Sequence, residues 1–423
     1  MKDCDFLIIG GGPAGLGALQ RLGEQAVLLE KTQALGGLCS SFSENGFLFD
    51  HCVHLSFTLN PIVLSYLKAV PFYSHKPFAL NYYKSQWLVH PVQDNLYPLS
   101  IGEKESLIAG FKERPLIECP QNYYEWLLTS FGKPFTDSFP AVYTLKYWCA
   151  NPESLSTDWC GGRIYRPSLD EVVYGSTHPA TPNVYYAKEM HYPKQGGYAS
   201  FFARTDFRKQ VFFNKNVQKI DPLNHTVTCQ DGSVVHWRLG CLSSLPLPLI
   251  PSLISNCPSA VASAAKRLLF TSAANVSVAF NKKVSIPSLW FYVYDLDIPF
   301  ARAYSPSLKA PANAPEGCSS IQFEHYYLRK DTWTDQKLIS AAKAFLIKSK
   351  IAEDNDIVFA KVSRLTYANV VFNLGMEKDR QVVLNYLKAQ GLVPIGRFGL
   401  WDYLWSDQAF LSGYNAAEKM VSP

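Results

Sequence analysis

Gly10, Gly12 and Gly15 follow the apolar run FLII in GxGxxG spacing, and Glu30 ends a second apolar run, AVLLE, twenty residues after Gly10. Each glycine has its own task. Gly10 permits a tight turn, Gly12 lets a pyrophosphate approach the backbone, and Gly15 lets helix and strand pack closely. Pro13 and Ala14 lead into the helix AGLGALQRLGE, whose first N–H groups face the phosphates. Glu30 offers a carboxylate to both hydroxyls of a ribose. Strand, glycines, helix, strand and terminal Glu in one register point to a bound dinucleotide; the alternative is a glycine-rich βαβ turn with no ligand. A second constellation lies in DHCVHLSFT, where His54 follows Asp50, His51 and Cys52. An imidazole there either serves chemistry or is a satisfied histidine on a turn.

The elements that position these residues come from the whole chain. At 423 residues it is long enough for two or more cores. Hydrophobic content of 48% with 18% charge is ordinary for a globular protein, and 14% aromatics offer flat surfaces to ring-shaped ligands or simply a large aromatic core. The balance of 40 Lys+Arg over 35 Asp+Glu, net +5, with no dense basic run, does not call for nucleic acid. MKDCDFLIIG is no signal peptide, and 239–265 is broken by Pro246, Pro248, Pro251 and Pro258, so no transmembrane segment is expected. Ten cysteines without a CxxC pair read as reduced thiols in a cytoplasmic protein, with no metal site. Residues 71–184 read as largely helical, from starts such as SIGEKESLIAGF and CPQNYYEWLLTSFG. Residues 265–375 mix strands (ANVSVAF, LWFYVY, SIQFEHYY) with one helix, TDQKLISAAKAFLIKS. The alternation in 211–237 around NH and DG turns reads as hairpin strands.

EKTQALGGLCSS places Lys31, Gly36, Gly37 and Leu38 just after Glu30. This resembles the second fingerprint of glutathione-reductase-like flavoproteins, especially their amine-oxidase and protoporphyrinogen-oxidase branch. The resemblance implies FAD. It also implies that the segment around Val217 touches the adenine. The C-terminal unit with Gly396, Arg397, Tyr403, Asp407 and Gln408 would be the last FAD contact, with Asp407 and Gln408 near the start of a helix aimed at the ribityl and isoalloxazine. The implied fold is α/β. A discontinuous Rossmann-like FAD-binding domain of glutathione-reductase type spans 1–70, 185–245 and 385–423. A mainly helical substrate-side domain spans 71–184, and a mixed sheet and helix substrate-binding domain spans 246–384.

Four further stretches narrow the resemblance. GFLFDHCVHLSFT resembles the active-site histidine loop of UDP-galactopyranose mutases, closest to the eukaryotic-like type also found in bacterial polysaccharide clusters. QWLVHPVQDNLYPLS is similar to that family's following hairpin and loop, HYPKQGGYASFF to its P-x-x-G-G turn near the flavin, and GRFGLWDYLWSDQ to its C-terminal motif. The likeness runs nearly end to end. It implies that Arg163 and Arg302 grip a nucleotide-sugar diphosphate, which suits planar guanidinium forks. Tyr292 then serves the uridine side, the Tyr403 hydroxyl reaches the diphosphate, and His54 supports the reduced flavin. The implied reaction is a redox-neutral pyranose–furanose ring contraction for surface polysaccharide, in which N5 of reduced flavin attacks the anomeric carbon. NADH or NADPH is the candidate reductant. Sugar, base and oligomeric state are open.

Three positions depart from that pattern. Cys52-Val53 stands where the family shows Gly-Gly before the histidine, and glycines there allow backbone shapes that Val53 cannot easily reach. Cys52 is either a redox-active thiol or a passive buried one. Asn369 falls where the family places a diphosphate-reaching tyrosine, with Tyr367 as a possible substitute. Asp402 falls where it often has a basic residue. The runner-up function is an FAD-dependent oxidase or dehydrogenase of the amine-oxidase type, and a third is a flavin-binding protein without catalysis. The arginine pair discriminates, because an apolar or amine pocket has no use for two guanidiniums.

Overall fold

The computed structural model describes residues 2–182, 184–185, 187–203 and 209–421. Two seven-stranded sheets organise them. In the first, Lys2–Ile9 lies between Ala26–Leu29 and Val234–Ser243, parallel to both. Val211–Phe212 extends one side. The antiparallel ladder Val234–Ser243, Thr226–Cys229 and Val217–Asp221 extends the other, forming the hairpin strands expected around the NH and DG turns. Leu392–Pro394 returns parallel to Val234–Ser243. The first, middle and last parts of the chain therefore share one sheet. FLII and AVLL are buried throughout, as strands covered on both faces must be. The helix Pro13–Leu22 packs along the C-terminal helix Ser406–Val421. Glycines set that closeness: a Cβ on Gly17 would lie 2.0 Å from the Phe410 carbonyl oxygen, and one on Gly413 would lie 1.8 Å from that of Ala14.

The second sheet runs in the order Ile357–Val370, Phe270–Phe280, Ser319–Leu328, Arg302–Tyr304, Trp290–Val293, Ala79–Tyr83, Gln86–Val89. Its two faces are buried for different reasons. Val276, Val278, Phe291, Ala303, Ile321 and Phe323 pack against Leu338, Ala342, Phe345 and Leu346 of the helix Asp335–Lys348. The opposite face carries polar side chains in rows across the strands. Asn81, Tyr292, Arg302, Glu324 and Asn275 are successive cross-strand partners, as are Tyr304, Gln322 and Ser277. Cross-strand partners share a face, so register alone lines these groups up.

Within 71–184, Phe72–His75 pairs with Met190–Pro193, and the hairpin Ala79–Tyr83 with Gln86–Val89 ends the second sheet. Helices follow at Ile101–Lys112, Tyr123–Phe131, Lys133–Ser138, Pro140–Tyr147 and Leu169–Thr177. Ser100 and Asn122 accept the N3 amide of their helices, and Ser168 with Glu171 forms a full capping box. Among the described residues, no helix is long and apolar enough to cross a membrane.

Candidate functional site

The glycine turns form a cradle. Gly10 takes φ +98°, a conformation that favours glycine, and a Cβ there would sit 2.3 Å from Ser244 Oγ. A Cβ on Gly15 would sit 1.9 Å from the Gly10 carbonyl oxygen. Gly36 and Gly37 also lie at positive φ, and a Cβ on Gly37 would sit 3.2 Å from Gly12 Cα, so the two glycine turns approach backbone to backbone. Gly36 N donates to the Gly11 carbonyl at 2.8 Å. The helix that begins at Pro13 has no side chain capping its first amides, which leaves them for an anion. Glu30 is buried behind this turn and already accepts from Gly11 N at 2.8 Å, Thr32 N at 2.9 Å and Thr32 Oγ1 at 2.8 Å. Of the roughly four acceptor sites of a carboxylate, the one left open is on Oε2, and it can take a ribose hydroxyl. Lys31 and Gly37 are exposed, and Leu38 is half-buried. Gly396, at φ +76°, lies against Ala14, since a Cβ there would meet the Ala14 Cβ at 2.6 Å. Asp407 and Gln408 open the C-terminal helix, and Gln408 Oε1 accepts from Trp405 N at 2.9 Å. Val217 is buried in its strand opposite Cys229.

The histidine loop hangs from Asp50. This carboxylate is fully buried and accepts from Ser41 Oγ at 2.8 Å, Tyr198 N at 3.0 Å, the Tyr192 hydroxyl at 2.8 Å and Lys309 Nζ at 2.6 Å. Lys309 is equally buried and lies over the rings of Tyr192 and Tyr304. Burial opposes the charge on Asp50, but the Lys309 ammonium and the other donors outweigh it and hold the carboxyl below its ordinary range. The chain then passes through Cys52 at φ +70°. The glycine-type backbone is thus required at 52, not at Val53, and a residue with a Cβ adopts it at a cost of about 1 kcal/mol. The Cys52 thiol is pushed up to about 12, chiefly by burial, so it is no ready nucleophile. His54 Nδ1 lies 3.1 Å from the Cys52 carbonyl, and its ring stacks on Tyr198 with centroids 5.1 Å apart. Burial pushes the imidazole down to about 4, against the pull of Asp50. A carbonyl only accepts, so Nδ1 carries the proton of a neutral ring and Nε2 keeps its lone pair. Gly196 and Gly197 turn at φ +75° and +70° just before Tyr198, and a Cβ on Gly197 would meet Ser41 Oγ at 2.4 Å.

A cavity of about 280 Å³ opens between the helices and the polar face of the second sheet. Arg163, Tyr292, Arg302 and Tyr403 all line it. Arg163 lies over the rings of Tyr403 and Trp405 at 4.4 and 4.2 Å and donates to the Tyr403 carbonyl. Arg302 Nε donates to Glu324 at 2.5 Å, and its NH2 group donates to the Tyr326 hydroxyl at 3.1 Å. His90, Gln93, Tyr143, Tyr147 and Tyr185 also face the space. His90 lies 4.6 Å from the Tyr292 ring, and burial pushes it down to about 4, so it adds no charge.

Asn369 does not line this cavity. It is buried behind Tyr147, whose hydroxyl donates to Asn369 Oδ1 at 2.9 Å, and Arg397 donates to the same oxygen at 3.0 Å. Tyr367 turns away and packs on Phe270 with centroids 4.3 Å apart. A bulge explains this: between the pairs Thr271–Asn369 and Ala273–Leu365 the edge strand carries extra residues, which re-aim its side chains. Asp402 accepts from Tyr403 N at 2.6 Å and so braces the turn that presents Tyr403. Sequence reading missed Glu324, Tyr147 and the Asp50–Lys309 pair. Glu324 lies in SIQFEHYY, read only as a strand, and nothing local in that stretch marks the glutamate.

Comparison with known proteins follows the same division. Residues 8–70 match the family described as NAD(P)-binding Rossmann-like domain. An inactive all-trans-retinol 13,14-reductase of Danio rerio is 47% identical over 49 residues, which are 11% of this chain and 8% of that protein. The all-trans-retinol 13,14-reductase of Macaca fascicularis is 33% identical over 123 residues, 26% of this chain and 19% of that protein. The chain thus spans less than a fifth of either relative. Among solved structures, a reduced UDP-galactopyranose mutase superposes at TM-score 0.91 with 22% identity, covering 99% of this chain and 94% of its own. A structure described as a protoporphyrinogen oxidase from Exiguobacterium gives TM-score 0.73 with 16% identity over 99% of this chain and 98% of its own. A putrescine oxidase gives 0.66 with 12% identity over the full length of both chains. The fold is the one these flavoenzyme-type proteins share.

Proposed function

We propose that this chain is an FAD-dependent, redox-neutral mutase that contracts the pyranose ring of a nucleotide-diphosphate sugar of the UDP-galactose type. One observation carries the reading: Arg163 and Arg302, far apart in sequence, line a single aromatic cavity with Tyr292 and Tyr403. Two guanidiniums suit the charge of a diphosphate, whose oxygens planar forks bind in pairs. The aromatic wall suits a flat base, and an amine or polyene substrate would offer no anion to either guanidinium.

The cradle fits FAD. Gly10, Gly12 and Gly15 with the uncapped helix at Pro13 would hold the pyrophosphate, Glu30 a ribose, and Gly36 and Gly37 the backbone approach. Arg397, Asp407 and Gln408 would meet the flavin end. Reduced FAD would supply a nucleophilic nitrogen for the anomeric carbon, with no net consumption of electrons. This chain's residues then do the rest. Arg163 and Arg302 hold the departing diphosphate so that it can return to the same carbon. The Tyr403 hydroxyl adds a donor to it. His54 presents a neutral acceptor rather than a charge to the cofactor.

The test uses purified protein with its yellow FAD spectrum, reduced by dithionite under nitrogen. UDP-galactose and UDP-N-acetylgalactosamine are supplied separately, and products are followed by anion-exchange chromatography and NMR. A furanose product formed only with reduced flavin is expected, lost in Arg163→Ala and Arg302→Ala. Failure to bind or convert either donor, with oxidised flavin reduced by an amine or alcohol or reduced flavin reoxidised by an alkene, would replace the reading with an oxidoreductase.

A further inference from the structure

The cavity and the histidine loop meet at one side chain. Glu324 is fully buried. Its Oε2 accepts from Arg302 Nε at 2.5 Å and from the Tyr326 hydroxyl at 2.6 Å, while its Oε1 accepts from Val53 N at 2.7 Å. Val53 is the residue before His54. One carboxylate therefore holds an arginine of the cavity with one oxygen and the backbone of the histidine loop with the other. We propose that Glu324 is a positioning residue that couples diphosphate occupancy at Arg302 to the redox state of the flavin through the backbone of the 50–54 loop. The inference rests on the nucleotide-sugar reading of the cavity and adds a residue and a linkage to it.

Geometry and charge carry the coupling. Glu324 and the Tyr326 hydroxyl occupy two of the five N–H groups of Arg302 and so fix the orientation in which the others face the cavity. An arriving diphosphate competes with Glu324 for that guanidinium and repels its carboxylate. Partner exchange at Oε2 changes the strength of the hydrogen bond at Oε1, because both oxygens share one delocalised charge. The loop is well placed to respond. Asp50 fixes its near end through Lys309 and Tyr198. Cys52 holds a left-handed backbone in the middle, and Glu324 closes the far end at Val53. Any bias on Val53 is passed to His54, the next residue, stacked on Tyr198. Linkage runs both ways: if the diphosphate alters the loop and the loop touches the flavin, reduction of the flavin must alter diphosphate affinity by the same factor.

The experiment measures UDP affinity for the FAD-loaded protein in oxidised and dithionite-reduced states, together with the flavin midpoint potential with and without UDP. In the wild type, the two Kd values should differ by about 5-fold or more, the usual range for coupled sites. In Glu324→Gln, which keeps the shape but removes the charge, UDP should still bind and the ratio should fall to within about 2-fold. Should that variant lose its FAD, Glu324→Asp serves instead. It keeps a carboxylate beside Arg302 and withdraws the oxygen from Val53, and it too should bind UDP with the ratio collapsed. UDP binding with an undiminished ratio overturns the inference alone, because a merely structural Glu324 would change affinity in both states alike. A wild type that binds no UDP in either state removes the nucleotide-sugar reading and this inference with it.

Discussion

The cofactor cradle and the diphosphate cavity are built in opposite ways. The cradle comes mostly from residues 10–37 and works by missing side chains: carbonyl oxygens lie where a Cβ at Gly15 or Gly413 would be. The cavity comes from strands and loops hundreds of residues apart and works by paired charges: Arg302 with Glu324, and beneath the loop Lys309 with Asp50. The lesson concerns how each half fails. A steric cradle fails when an atom is added, and nothing nearby compensates. A charge pair fails when one partner is removed, and removing the other restores most of the loss.

The largest effect is expected at Lys309→Met, which strands Asp50 in a fully buried site at a cost of about 3–5 kcal/mol. Asp50→Asn added to it should recover most of that, read as the thermal midpoint of each variant. The wild-type pair also sets an acid limit. The Asp50 carboxyl is held below its ordinary range. Its stabilisation is therefore complete above the unfolded value near 3.9 and lost as pH falls through the lower folded value. Denaturant melts below about pH 4 should show the wild type losing more stability than the doubly neutral variant.

Next comes Arg302→Met, at about 3 kcal/mol, because Arg302 is only partly buried while Glu324 is wholly so. Glu324→Gln should rescue its stability but not UDP binding, measured by calorimetry. Gly15→Ala should cost about 2–3 kcal/mol and leave protein without flavin, read from the absorbance of the purified protein. No second substitution of a neighbouring side chain should rescue it, since the clash is with the Gly10 carbonyl. Rescue there, or its failure at Lys309, would erase the contrast between the two halves.

That contrast also explains what could be read from sequence. Gly10, Gly12, Gly15 and Glu30 sit within one βαβ unit, so spacing alone gave their tasks. The hairpin strands around the NH and DG turns were visible for the same local reason. Arg163 and Arg302 were chosen by resemblance, and only the fold brings them to one cavity. Glu324 was invisible because its role depends on register: it stands opposite Arg302 on one side and Asn275 on the other. Lys309 lies in SPSLKAPANAP, where composition predicts an exposed loop, yet Tyr192 and Tyr304 enclose it. Asn369 was misleading alone, since Tyr147 from a helix more than two hundred residues earlier stands between it and the cavity.

The smallest effect separates two neighbouring residues. Cys52 holds φ +70°, so Cys52→Gly should relieve about 1 kcal/mol of left-handed strain. Against this stand the weak contact of its thiol with Asn275 at 3.7 Å and the freedom a glycine gains when unfolded, about 0.5–1 kcal/mol. The balance should lie within about half a kcal/mol of no change. Val53 has no such backbone, so Val53→Gly pays the same unfolded-state cost without relief and loses a packed side chain near Trp290 and Tyr304. It should lose about 1–2 kcal/mol. Thermal melts of the two variants side by side read the sign directly. A stabilised Val53→Gly with a destabilised Cys52→Gly would mean that the backbone demand falls on 53, and that Glu324 grips a loop of another shape.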